Sequence, residues 1–302
     1  MKKTLLAVMA VLMMSVMLIA GCSSGEESAP AGDKKGAATT IGFSISTLNN
    51  PFFVSVKDGV EAKAQELGVN VKIVDAQNDP AKQANDVADL IQQGVSVLLV
   101  NPVDSAAIST SVEAANKANI PVIALDRSAD KGTLASLVAS DNVKGGEMAA
   151  EYIIQKLGEA VKVAELEGIP GASATRERGE GFHKVADQKL NVVAKQSADF
   201  DRTKGLTVSE NMLQANPDIQ AIFAQNDEMA LGAIEASKSA GKQIFIVGFD
   251  GLKAVEAGTM AATIAQQPEL MGQQGLEAAV KLAKGEKIEA KISVPLKLVE
   301  KK

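Results

Sequence analysis

Ile120–Ser128 reads IPVIALDRS, an apolar run long enough for one buried strand that stops abruptly on two opposite full charges, Asp126 and Arg127. A continuous apolar run of this kind suits a strand covered on both faces, as in a parallel α/β sheet. Fixed charges at its carboxyl end are costly unless something pairs with them, and open α/β sheets bind ligands at that end. Asp126 and Arg127 therefore either clamp a ligand or cap the strand as a salt bridge, and the stretch alone leaves both open.

Outward from this strand the pattern repeats. Short apolar runs alternate with amphipathic segments, the rhythm of βαβ units. Strands are expected at Ile41–Ile45, Asn70–Val74, Val95–Val100 and Ile120–Leu125, with helices Phe52–Leu67, Ala81–Gln93 and Ser105–Asn119 between them. Gly68 and Gly94 stand where helices end in a left-handed residue. After a short run, Leu134–Ala139, the rhythm restarts with helix Val143–Leu157, strand Val161–Leu166, helix Thr175–Gln188, strand Asn191–Gln196 and helix Thr203–Ala215. Strand Ile219–Ala224, helix Glu228–Ala240, strand Gln243–Val247, a short helix at Leu252–Ala257 and strand Ala261–Ala265 follow. Helix Leu270–Lys284 and an extended piece, Ile292–Val299, close the chain. Two similar α/β lobes in tandem account for this order.

Nearly every expected strand runs into Asn, Asp, Arg or Gln, although turns favour Asn and Asp as well. The aromatics discriminate. The chain has eight Phe, one Tyr and no Trp, yet Phe52, Phe53, Phe200 and Phe249 all stand at strand ends beside the polar set, whereas Phe43, Phe223 and Phe245 lie within strands. Flat apolar faces beside forked donors and acceptors suit a sugar, which offers a C–H face for stacking and edge hydroxyls that donate and accept. Each Phe taken singly also fits a lid over the core.

The amino terminus has Lys2 and Lys3, an apolar run Leu5–Ala20, and Ile19-Ala20-Gly21-Cys22, the pattern of a secretory signal over residues 1–21. The residues before Cys22 resemble a bacterial lipobox, which implies diacylation of Cys22, the only cysteine. Residues 22–38, small, polar and charged, read as a flexible tether. Removing residues 1–21 leaves 281 residues and a formal charge of −8, because Lys2 and Lys3 leave a chain whose charge is −6. An acidic chain argues against nucleic acid as a partner. No second apolar run is long enough to span a bilayer, so a soluble part held outside the cytoplasm on a lipid anchor is expected.

STLNNPFF (Ser46–Phe53), VNPVDS (Val100–Ser105), NIPVIALDR (Asn119–Arg127), ASDN (Ala139–Asn142) and TRERGEGF (Thr175–Phe182) resemble motifs of the bacterial periplasmic ribose-binding family. So do ADFDR (Ala198–Arg202), FAQNDEMALGA (Phe223–Ala233), VGFDG (Val247–Gly251) and AATIAQ (Ala261–Gln266). The resemblance runs from about Thr40 to Lys301. It implies a type I periplasmic binding protein: two Rossmann-like lobes with parallel sheets, joined by a three-stranded hinge near Ser140, Gln266 and Pro295. The amino-terminal lobe would take 39–140 and 267–295, and the carboxy-terminal lobe 141–266 and 296–302. It further implies a receptor that captures D-ribose for an ABC permease and its ATPase, acts as a monomer and uses no cofactor. A role in chemotaxis or sensing is the alternative.

Carried over by position, the resemblance assigns Ser46, Asn50, Phe52, Phe53, Asn101, Asp126 and Arg127 to the site from the first lobe, with Ser140 and Asn142 at the first crossing. Arg178, Phe200, Asn226, Phe249, Asp250 and Gln266 come from the second. Phe52 and Phe53 would flank one side of the ring and Phe200 the other, while Asp126, Arg127, Arg178 and Asp250 hold hydroxyls. Two departures are visible: a short loop after Asp250, Gly251-Leu252-Lys253-Ala254, and the lipobox with its tether.

Other chemistries lack their residues. G-x-S-x-G, G-x-G-x-x-G and the Walker loop are missing from the sequence. His183, the one histidine, has no Cys or His companion for a metal and reads as a solvated helix residue. Asp75–Asp79 lacks the glycine and late glutamate of a calcium loop and reads as a turn. Asp199 with Asp201, or Asp227, could suggest a glycosidase. Arg127 and Arg178 in the same site are expected to keep its carboxylates ionised, which a general acid cannot be. A repressor of this fold would need a helix-turn-helix before residue 40, where the chain carries an export signal.

Overall fold

The computed structural model describes residues 39–251, 255 and 258–301. Its first run of elements is β1 (Thr40–Ile45), α1 (Pro51–Leu67), β2 (Asn70–Asp75), α2 (Pro80–Gln92), β3 (Val97–Val100), α3 (Ser109–Lys117), β4 (Val122–Leu125) and β5 (Ser136–Ser140). The second is α4 (Asn142–Leu157), β6 (Lys162–Glu167), α5 (Ser173–Lys189), β7 (Asn191–Ser197), α6 (Arg202–Ala215), β8 (Ala221–Ala224), α7 (Asp227–Ser239), β9 (Phe245–Asp250) and β10 (Ala262–Ala265). Then come α8 (Pro268–Ala283), β11 (Lys291–Val294) and β12 (Lys297–Glu300). The expected signal, Cys22 and the expected tether fall outside the described residues, as does all but Val255 of the expected short helix Leu252–Ala257 and all but Gly251 of the short loop.

Two six-stranded sheets result, in the orders β11-β5-β4-β3-β1-β2 and β12-β10-β9-β8-β6-β7. Every pairing is parallel except β10 with β12. The chain crosses between sheets after β5, after β10 and between β11 and β12, which makes the three-stranded hinge of a two-lobed α/β protein. Pro295 lies at the last crossing, so the extended piece Ile292–Val299 is in fact two strands in different sheets. The short run near Leu134–Ala139 is a full strand, β5, bonded to β4 and β11. The helix expected from Ser105 starts only at Ser109, after a tighter turn in which the Ser109 N–H bonds the Ala106 carbonyl at 3.2 Å, while Ser105 donates its N–H to Gly171 of the other lobe at 2.9 Å.

Local chemistry explains the element ends. Asn50 caps α1 by accepting the Phe52 N–H at 2.9 Å, Pro51 supplies a preset φ at the first helical position, and Gly68 ends the helix at φ 65. Asp79, Asp141, Asp201 and Asn226 cap α2, α4, α6 and α7 in the same way. Much of the polar character at strand ends is therefore helix capping. In each sheet one strand, β1 or β6, sits between the two that follow it, so the winding reverses at its carboxyl end and opens a crevice there. Helices α4 and α5 pack without side chains between them: a Cβ on Gly146 would collide with the Arg178 carbonyl, and one on Gly181 with that of Val143. This close approach fixes the face of α5 that carries Arg178.

Candidate functional site

The carboxyl ends of the two sheets face each other across a small cavity of about 10 Å³. It is lined by Asn50, Phe52, Phe53, Asp126 and Arg127 from the first lobe, and by Ala174, Arg178, Phe200, Asn226, Asp250 and Gln266 from the second lobe and the second crossing. Apart from the half-buried Asn50, all of these side chains are buried. That is about the room a single water needs, far below the roughly 300–1,000 Å³ of typical drug-sized sites, so the facing walls nearly touch.

Its walls are aromatic and its edges charged. Phe52 and Phe53 meet edge to face at 5.2 Å. The Arg127 guanidinium stands over both Phe53 (5.0 Å) and Phe200 (5.1 Å) and donates to the Pro102 carbonyl at 3.0 Å. Asp126 and Arg127 are themselves paired, Nε to Oδ2 at 3.5 Å, so the strand-capping bridge and the place in a cavity coexist. Arg178 donates to Asn142 Oδ1 (2.9 Å) and to the Gln225 carbonyl (2.7 Å), lies 3.9 Å from Asp250 and rests 3.8 Å from the centre of the Phe249 ring. Asp250 accepts from Gln266 Nε2 at 2.9 Å.

Three polar atoms of these lining residues, Asp126 Oδ1, Arg127 Nε and Gln266 Oε1, are buried without a hydrogen-bond partner among the described residues. Such atoms are rare in folded proteins and each costs about 1–3 kcal/mol. The backbone is strained at the same place. Asp126, Phe200 and Asp250 have φ of 66°, 59° and 123°, conformations non-glycine residues avoid and functional sites tolerate.

The ionisation balance differs from the expectation that the arginines hold the carboxylates charged. Burial raises Asp126 above the usual carboxylate range although Arg127 and Arg178 oppose it. Burial likewise pushes Asp250 up to about 7 against the pull of Arg178, and lowers Arg127 to about 10 against the pull of Asp126. For groups this deeply buried, desolvation outweighs the charge pairs. Hydroxyl groups donating to the two carboxylates would reverse that sign. The carboxylates that suggested a glycosidase have other duties: Asp199 pairs with Lys204 at 2.7 Å, Asp201 caps α6 and Asp227 holds Thr263 and the Gly251 N–H.

Five residues assigned from sequence do not line the cavity; they lie behind it. Asn101 joins the ends of β1 and β4 by accepting the Ser46 N–H at 3.2 Å and donating to the Leu125 carbonyl at 3.0 Å. Ser46 and Ser140 are buried at the ends of their strands. Asn142 anchors Arg178, and Phe249 is a fully buried floor under it. Ala174 was missed, since a methyl group carries no chemical signal. Its position one helical turn before Arg178, on the same face, is the clue. Direct bonds between lobes were missed too: Ser173 N–H to Ser105 Oγ (3.1 Å), Ser128 N–H to Ser173 Oγ (2.9 Å) and Arg176 to Asp130 (2.8 Å). His183 is not a freely solvated residue. It is half-buried and paired with the fully buried Glu165 at 2.8 Å.

Two α/β lobes that meet over a small cavity lined by charged and aromatic side chains have the architecture of a solute-binding protein, whose work is capture and not catalysis. A family profile described as periplasmic binding protein domain matches residues 41–287, and the chain belongs to that extracytoplasmic family. It is 59% identical over 304 positions to the ribose import binding protein RbsB of Bacillus subtilis (strain 168), covering 98% of this chain and 99% of that one. Identity to the protein of the same name from Haemophilus influenzae is 57% over 268 positions, 87% of this chain and 92% of that one. Among solved structures, an ABC transporter solute binding protein from Mycobacterium smegmatis with bound glycerol superimposes with a TM-score of 0.84 at 35% identity, covering 88% of this chain and 95% of that one.

Proposed function

We propose that this chain captures D-ribose in its pyranose form and delivers it to an ABC permease and its ATPase, working from the membrane surface on a lipid attached at Cys22. The observation that carries the sugar reading is the trio of buried unpartnered atoms, Asp126 Oδ1, Arg127 Nε and Gln266 Oε1, around an aromatic-walled cavity. Two acceptors and one donor are what a ring bearing several hydroxyls satisfies at once. Asp126, Arg127, Arg178, Asp250, Asn226, Gln266 and Asn50 take the hydroxyls, and Phe52, Phe53 and Phe200 take the C–H faces. The other assigned residues, Ser46, Asn101, Ser140, Asn142 and Phe249, hold these in place.

The aromatic walls support a pentose. The hydroxymethyl of a hexopyranose would have to enter rigid aromatic walls and bury a hydroxyl without a partner, a penalty on the order of 1–3 kcal/mol. Ribose over its epimers rests on the relatives named for ribose import, and the same names favour transport over sensing. Calorimetric titration with ribose, xylose, arabinose, glucose and galactose tests the assignment. Ribose is expected to bind tightest; tighter binding of xylose or galactose overturns it.

A further inference from the structure

Glu165 lies in the middle of β6, fully buried, and does not line the cavity. A buried carboxylate is costly unless its partners are good, and an apolar residue of similar size is often the more stable choice. Its partners form a chain that ends at the cavity. Glu165 Oε1 accepts from Gln225 Nε2 at 2.8 Å, and Glu165 Oε2 meets His183 Nε2 at 2.8 Å. Gln225 is also fully buried, and its amide oxygen accepts the Gly168 N–H at 3.1 Å. Its own backbone carbonyl accepts from Arg178 at 2.7 Å. Gly179 leaves room for this: a Cβ there would stand 3.3 Å from Gln225 Nε2.

We propose that Glu165, held by His183, is a positioning residue for sugar binding: it locks Gln225, whose carbonyl aims the Arg178 guanidinium at the cavity. Arg178 has only two other anchors of comparable quality, Asn142 and the Phe249 ring, and both sit on its own lobe. The tie is therefore intact whether the lobes are open or shut, and it presents Arg178 in its binding pose before a ligand arrives. Preorganisation of this kind raises affinity by removing an ordering cost. His183 is suited to the outer position because its second nitrogen is held by Asp187 at 2.7 Å, which fixes the ring.

The inference rests on the sugar-binding reading of the cavity, and its test separates the two. Two pairs of variants are compared with the parent protein: Glu165→Leu with Glu165→Gln, and His183→Leu with His183→Gln. The Gln variants keep hydrogen-bonding groups in place and the Leu variants remove them. D-ribose titration of the Leu variants is expected to show affinity reduced roughly tenfold to a hundredfold for Glu165→Leu, the scale of one misplaced hydrogen bond to a charged group, with the Gln variants recovering most of it. The ¹⁵Nη1 resonance of Arg178, the nitrogen that donates to the Gln225 carbonyl, is expected to shift in the sugar-free protein in both Leu variants and stay near its parent position in both Gln variants. His183→Leu, on a partly exposed helix face, covers the case in which Glu165→Leu does not fold. An Arg178 resonance unmoved in folded Leu variants overturns the proposal, as does Leu and Gln variants binding ribose equally. If the parent protein does not bind ribose, the ligand assignment fails, and the Arg178 resonance still decides the tie.

Discussion

Truncating Asp126 probes the centre of the site. Its carboxylate is buried, Oδ1 has no hydrogen-bond partner among the described residues, and Oδ2 is 3.5 Å from Arg127 Nε. In the bound state Asp126→Ala deprives sugar hydroxyls of a charged acceptor and leaves Arg127 buried without its counter-charge. Removing one member of such a set costs about 2–5 kcal/mol of binding, or roughly thirtyfold to several thousandfold in Kd. Folding is affected differently, because burial works against the charge strongly enough to raise its pKa despite two arginines. Thermal unfolding of the sugar-free protein should therefore change little. Backbone strain is a confounder, since φ is 66° at this position and Ala tolerates that region worse than Asp or Asn. Asp126→Asn supplies the control, keeping shape and an acceptor while losing charge, and is expected to fall between parent and Ala. The assay is isothermal titration with D-ribose. A change of less than about threefold in both variants, well under the range for a buried charged partner, refutes the assignment of Asp126 as a sugar contact.

Ser173→Ala removes the acceptor of the Ser128 N–H bond between lobes, a loss of about 0.5–1.5 kcal/mol, or roughly two- to tenfold in affinity; small-angle scattering should still show compaction on adding ribose, and unaltered affinity would sink the latch. Cys22→Ala should abolish incorporation of labelled fatty acid while sugar binding by the folded part is unchanged; labelled mutant protein counts against the anchor. The hydrogen bond to Glu165 raises His183 to about 9, so its contribution to stability is complete below the unfolded value of 6.5 and is lost as pH rises through about 9. The parent protein should lose melting temperature relative to His183→Gln between those limits, and parallel curves would show the pair to be inert. Asp250, raised by burial, pushes the same way at lower pH, from its ordinary 3.8 to about 7, and opening of the lobes rehydrates it.

The order of elements and the two-lobe architecture were legible because a parallel sheet demands apolar strands with amphipathic helices between them, and IPVIALDRS breaks that pattern at the ligand-facing end. Misjudged boundaries have local causes. Ser105–Ile108 looks helical but forms a tighter turn, with the Ser109 N–H on the Ala106 carbonyl, and Pro295 divides one extended run between two sheets. Residues facing the cavity could be proposed because charge and aromaticity at a strand end are unusual. Those behind it could not be ranked: Asn101 and Asn142 have the same chemistry as a sugar ligand, and only geometry shows that their bonds go to protein. His183 was misread because its partner, Glu165, lies 18 residues away on β6, a contact that helical periodicity does not predict.

The three unpartnered atoms also bear on what a ligand would do to closure. Asp126 Oδ1, Arg127 Nε and Gln266 Oε1 each cost about 1–3 kcal/mol while buried without partners. The bonds that hold the lobes together without a ligand, through Ser105, Ser128, Ser173 and Gly171, contribute only about 0.5–1.5 kcal/mol each. The surface pair Arg176–Asp130 adds at most about 1 kcal/mol. Opening would let water reach the three unpartnered atoms at the cost of these bonds and of the Arg127–Phe200 contact, and the sugar-free protein is expected to favour the open form, which compaction in solution scattering on adding ribose would check. Hydroxyls that satisfy the same three atoms remove the penalty and leave the bonds between lobes uncontested. Closure then follows from binding through differential affinity for the two states, as any ligand-driven shift must. The groups that make the empty closed state unfavourable are the ones that recognise the ligand, so a variant that relieves the penalty with apolar side chains should close more readily and bind less well.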